Sequence, residues 1–88
     1  MKVAYHGTPF SAQVLQEGLK AHKALAVGSC EHIWLAREPK DAKPIGTVLE
    51  IDMSGIEGEF ELGELGWQGC YHGGDIDPLR IKLYTGVV

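Results

Sequence analysis

The sequence predicts an α+β fold built from one main helix and five or six short strands. Three observations point there. Phe10, Val14, Leu15 and Leu19 recur at spacings of four, one and four, the stripe of an amphipathic helix. Thr47 to Met53 alternates instead, with Leu49, Ile51 and Met53 on one face and Glu50 and Asp52 on the other. Twelve glycines in 88 residues favour turns and short strands over a helical bundle.

The elements follow in order. Lys2 to His6 is β-prone and stops at Gly7-Thr8-Pro9, a strand running into a tight turn. Thr8 is placed to cap the helix, with Pro9 at its first position, where a missing N–H costs nothing. Gly18 ends the helix as a left-handed C-cap. Lys20 to Ser29 shows no period and reads as a loop. Cys30 to Ala36 reads as a second strand, and Arg37 to Lys43 as a polar turn or short helix closed by Pro44 and Gly46. After the strand at Thr47 to Met53, Ser54 to Gly66 is acidic and punctuated by glycine, with a short strand at Glu59 to Leu62. Trp67 to His72 and Leu79 to Tyr84 are the last strands, and alternation in the latter turns Ile81 and Leu83 inward.

At 9.6 kDa the chain is expected to form a single domain over 1–88, with a thin stability margin. Eight basic against twelve acidic residues give a net charge of −4, which excludes a broad nucleic-acid surface. No apolar run approaches the ~20 residues that span a bilayer, and no signal peptide leads the chain, so no membrane partner is expected. Two cysteines are too few for a disulfide framework, and the expected compartment is a reducing cytoplasm. At this size a homodimer that shields an edge strand is also expected.

Chemistry is first expected at Tyr5-His6-Gly7-Thr8. A histidine at a strand end, followed by glycine, sets an imidazole beside open backbone amides and suits a ligand bearing amide or hydroxyl groups. The plainer alternative is a turn with a surface histidine.

Tyr5-His6-Gly7-Thr8 is followed by Glu17-Gly18-Leu19, by His32-Ile33-Trp34-Leu35-Ala36 with Ala42, and by Val48-Leu49-Glu50-Ile51-Asp52. In this order and spacing the segments resemble the ADP-ribosyltransferase fold, and within it the catalytic half of the RNA 2′-phosphotransferases. Asp75 to Ile81 is similar to the proline-containing turn and final strand of small members. The resemblance implies an ADP-ribosyltransferase-like α+β domain with short mixed or antiparallel sheets and NAD as substrate. It also implies residue roles: His6 on the hydroxyls of the adenosine ribose, the Gly7 backbone on the nicotinamide amide, and Trp34 near the nicotinamide ring. A hydrogen bond from Thr8 is also implied, with a plain helix cap as the alternative role for that residue. His6, His32 and Gln68 are the implied catalytic set, with His72 a further polar partner.

The chain departs from the family pattern in three places. The nucleic-acid-binding lobe of the phosphotransferases has no counterpart. Cys30 and Pro44-Ile45-Gly46 stand where arginines bind RNA phosphate, and a thiol cannot replace a bidentate guanidinium. Trp67-Gln68-Gly69-Cys70-Tyr71-His72 holds no acid where protein-modifying members carry a glutamate, and Gln68 is the residue of similar reach. The expected function is therefore transfer of ADP-ribose from NAD to an acceptor that the sequence does not name, with release of nicotinamide. The alternative on the same scaffold is a non-catalytic binder of a nucleotide or ADP-ribosyl ligand.

Cys30-Glu31-His32 and Cys70-Tyr71-His72 form two Cys-x-His pairs. Residues i and i+2 of a strand share a face, so a zinc-stabilised interaction module using Cys30, His32, Cys70 and His72 is a third reading. Against it stands the expectation that no metal is bound, with both cysteines half-buried thiols and a disulfide between them disfavoured by compartment. His22, between Lys20 and Lys23, is expected in solvent. Glu57, Glu59, Glu61 and Glu64 are expected to form a solvated face.

Overall fold

The computed structural model describes residues 2–21, 33–62 and 68–87. Its elements are β1 (Val3–Thr8), α1 (Ser11–Glu17), β2 (Ile33–Ala36), α2 (Pro39–Ala42), β3 (Thr47–Asp52), β4 (Phe60–Leu62), β5 (Gln68–Tyr71) and β6 (Ile81–Leu83). Short 3-10 turns at Lys43–Ile45, Glu57–Glu59 and Pro78–Arg80 join them. The strands form one six-stranded sheet in the order β4-β5-β2-β1-β3-β6, antiparallel at every pairing. The α+β class is as expected, and the sheet is purely antiparallel where a mixed one was left open.

β1 runs two residues further than its glycine suggested. Gly7 and Thr8 pair with Val48 and Thr47 of β3, and the cross-strand ladder overrides the local preference for a turn. The helix also starts later. Phe10 occupies the N-cap position without a side-chain bond, and Thr8 instead accepts the Phe10 N–H at 3.0 Å from inside the strand end. The helical stripe holds for Val14, which is buried in the core, and for Leu15 packed against it, whereas Leu19 is buried from beyond the end of the helix. Phe10 is the exception at 66% exposed.

Gly18 ends α1 at φ 84 and ψ −178. The positive φ was expected, but ψ carries the chain straight into an extended bridge. There Leu19 and Ile76 exchange N–H···O bonds at 3.0 and 2.8 Å. A Cβ on Gly18 would lie 2.3 Å from the Ile76 carbonyl oxygen, so glycine is required twice over.

The sheet is packed on both faces. Ala4, Ile33, Leu35, Leu49, Ile51 and Met53 form the larger core with Val14 and Leu19. Ala36, Ala42 and Val48 form a smaller one, against which Tyr5 and Tyr84 pack. The two tyrosine rings meet edge to face, with centroids 5.3 Å apart. Leu49, Ile51 and Met53 are fully buried, as the alternation predicted, while Glu50 pairs with Lys82 across the strands at 3.1 Å. Ile81 is buried, but Leu83 is 49% exposed. Alternation gives it the right face, yet it lies at the end of an edge strand.

The final strand is shorter than predicted because Pro78–Arg80 is a 3-10 turn capped by Asp77, which accepts the Leu79 N–H at 2.8 Å. Asp77→Ala is expected to lower stability by about 1 kcal/mol in a urea titration, the usual loss for an exposed cap. Arg80 then reaches back to donate to the carbonyls of Asp52 and Ser54 at 3.1 and 2.9 Å, tying the turn to the end of β3. Glu57, Glu59 and Glu61 are exposed, as the solvated-face reading requires. Glu64, His22 and the loop reading of Lys20 to Ser29 beyond Ala21 lie outside the described residues.

Candidate functional site

Tyr5↔Ala36 is the one ladder pair between β1 and β2, whereas β1 pairs with β3 at all six of its positions. The ends of β1 and β2 that do not pair line a cavity of about 250 Å3, together with one side of α1 and Ile45. His6, Gly7 and Thr8 come from β1, Ile33 and Trp34 from β2, Gln13, Val14 and Glu17 from α1, with Phe10 at its N-cap and Lys20 just beyond its end.

His6 bridges the gap between the strands. Its Nδ1 lies 2.8 Å from the Trp34 carbonyl oxygen. A carbonyl only accepts, so Nδ1 carries the hydrogen, and in the neutral ring Nε2 keeps its lone pair. Burial lowers the His6 pKa below its ordinary value, and the bond to Trp34 opposes this with the smaller effect. Near neutral pH His6 is thus an uncharged imidazole of fixed tautomer that can accept a hydroxyl proton at Nε2.

Gly7 is held for a packing reason. A Cβ there would lie 2.0 Å from the Ala42 carbonyl oxygen and 3.0 Å from Ile45 Cβ. The absent side chain lets α2 and the turn after it lie against β1, and that contact brings Ile45 to the cavity. Thr8 lines the cavity but is buried, and its oxygen accepts from Phe10. Trp34 is a half-buried lining residue.

The expected set is only partly brought together. His6, Gly7, Thr8 and Trp34 meet at one cavity. Gln68 does not line it: its side-chain amide donates to the Asp41 carbonyl at 3.2 Å, on the side of α2. His72 is exposed at the far edge of the sheet, 3.5 Å from a Glu61 carboxylate oxygen. His32 and Cys30 lie outside the described residues.

The expectation that both cysteines are thiols is corrected at Cys70, which is disulfide-bonded. A sulfur so bonded offers no thiolate to a metal. Among the described residues no group of three or more His, Cys, Asp or Glu gathers at one point. No helix among them is long and apolar enough to cross a membrane.

Gln13 and Glu17 were missed. They stand three and seven residues after Phe10, on one helix face, and that spacing was legible as a polar edge beside the apolar stripe. No family model, curated protein or solved structure matches this chain.

Proposed function

We propose that the chain is an ADP-ribosyltransferase-like domain that binds NAD in the cavity between β1, β2 and α1. The observation that carries this reading is His6, a neutral imidazole fixed by the Trp34 carbonyl within a largely apolar cavity. Its Nε2 accepts a ribose hydroxyl proton, and Trp34 offers a flat wall for an aromatic ring. In the transfer itself, the bond between nicotinamide nitrogen and ribose C1′ breaks, and nicotinamide leaves with the bonding electron pair. The acceptor bonds to C1′ and gives up its proton. The cavity contributes orientation and exclusion of water.

A second reading, binding without turnover, is favoured by one observation. Gln68, the nearest substitute for a catalytic acid, is engaged with Asp41 and does not line the cavity. Removing an electrostatic stabiliser of a transition state typically costs ~10²–10³ in rate.

Titration with NAD, following tryptophan fluorescence and nicotinamide release together, separates the two. Saturable quenching with release supports transfer or hydrolysis. Quenching without release supports the binder. A folded protein that shows neither does not use NAD.

A further inference from the structure

We infer that the sheet edge at β6 is a self-pairing surface, where two copies of the chain join β6 to β6 about a twofold axis at Leu83. None of the residues involved lines the cavity, so the contact stands apart from the ligand reading.

Backbone register comes first. Among the described residues β6 pairs with β3 alone and ends the sheet. Tyr84 donates its N–H to the Val48 carbonyl at 3.1 Å, while Leu83 stands opposite Leu49 and Lys82 opposite Glu50. Bonded and non-bonded pairs alternate along an antiparallel ladder. Tyr84 and Lys82 therefore turn their backbone groups to β3, and Ile81 and Leu83 turn theirs to the open edge. Such an edge invites another strand unless a charge guards it. Both nearby cations are held within the chain. Lys82 lies 3.1 Å from a Glu50 carboxylate oxygen, and Arg80 donates to the Asp52 and Ser54 carbonyls.

The exposed side chains select a second copy as the partner. The large apolar residues that this stretch leaves in solvent are Leu79 at 95%, Leu83 at 49% and Val87 at 97% exposed. They are evenly spaced about Leu83, and an isologous contact requires such a self-complementary pattern. With the axis at Leu83, the two copies of that residue face each other and exchange both backbone bonds. Leu79 of one copy falls level with Val87 of the other. On the opposite sheet face Lys82 meets Tyr84 of the second copy, a cation beside an aromatic ring. An axis at Lys82 would set two lysines directly opposite, and an axis at Tyr84 would set Leu83 against Thr85. The other edge is unsuited to self-pairing. β4 carries Glu61, with Glu57 and Glu59 just before it, all exposed. Two such edges would gather like charges.

Sedimentation equilibrium and amide hydrogen exchange test the contact on the native chain. A short edge pairing lies well below a standard interface, so the dissociation constant is expected on the order of 100 µM. The chain is then largely monomeric at about 10 µM and largely dimeric at about 1 mM. Over that range the Ile81 and Leu83 amides are expected to slow in exchange about fourfold, in step with the loss of free edge. Leu83→Lys places like charges on the axis and removes the apolar pair, and is expected to weaken the dimer at least about tenfold. Leu83 is half-exposed at the sheet edge, so the variant is expected to fold, which circular dichroism checks. Should it not fold, the exchange measurement on the native chain decides alone. Slowed exchange at Ile81 and Leu83, with dissociation in the folded variant, upholds the contact. A native chain that stays monomeric, a dimer that Leu83→Lys leaves intact, or Ile81 and Leu83 amides that exchange equally at both concentrations overturns it.

Discussion

Gly7→Ala is expected to destabilise the domain by about 3 kcal/mol or more, near the upper end of the usual range for overpacking. The new Cβ would sit 2.0 Å from the Ala42 carbonyl oxygen and 2.9 Å from its carbon. Both atoms are backbone, so no side chain can swing aside. Relief requires α2 to lift from β1, which unpacks Ala42 from Ala36 and Val48 and withdraws Ile45 from the cavity. A domain of this size has roughly 5–13 kcal/mol of stability in total, so the loss is a large share of it. The control is Gly58→Ala. Nothing lies within 4 Å of a Cβ there, and the backbone is not at positive φ. That variant is expected to be neutral or to gain up to about 1 kcal/mol, by restricting the unfolded chain. Urea midpoints of the two variants decide the matter, and equal midpoints would remove the packing role assigned to Gly7.

The same glycine shows what the sequence made legible. Its position before Thr8-Pro9 argued for a turn, and on local grounds that was reasonable. The ladder to β3 is formed with residues forty positions away, which no local pattern reveals. The strands that alternate cleanly were placed well, because period-two burial is written in Leu49, Ile51 and Met53 themselves. Edge effects were not. Leu83 and Phe10 keep the correct phase for burial, but exposure depends on whether another element covers them. At the site, the Tyr5 to Thr8 segment pointed to the cavity because strand end, glycine and histidine coincide there. Gln68 was misjudged because reach along a strand says nothing of the neighbour that captures the amide, here the Asp41 carbonyl. Cys70 was judged from cysteine number and compartment, and neither states which sulfurs meet.

His6→Gln is expected to weaken NAD binding at least about tenfold, the effect of losing one well-placed polar contact in a water-poor site. The variant keeps a polar side chain but not the ring that spans from β1 to the Trp34 carbonyl. Stability is expected to fall by about 1–2 kcal/mol at pH 7.5, since that carbonyl loses its donor. Lowering the pH separates the two consequences. Burial holds the pKa of His6 in the folded chain below 6.5, its ordinary value. Below pH 6.5 the unfolded chain takes up a proton at this residue before the folded chain does. The unfolded state then binds more protons, and stability falls as pH falls through that window. Above pH 6.5 the contribution is complete and flat. The slope is worth up to about 1.4 kcal/mol for each unit separating the two pKa values. Other titrating groups are common to both proteins, so the difference between native chain and His6→Gln isolates His6. Urea midpoints at pH 5.5 and 7.5 are expected to fall further in the native chain than in the variant, and parallel losses would mean that His6 does not titrate as a buried neutral ring. NAD affinity in the native chain should hold through that window, where the folded ring is still neutral, and fall only at lower pH, once the folded chain takes up the proton and the Nε2 lone pair that accepts the hydroxyl is lost. An affinity that stays flat even after the folded ring is protonated would leave His6 as a bridge between strands and take it out of ligand recognition.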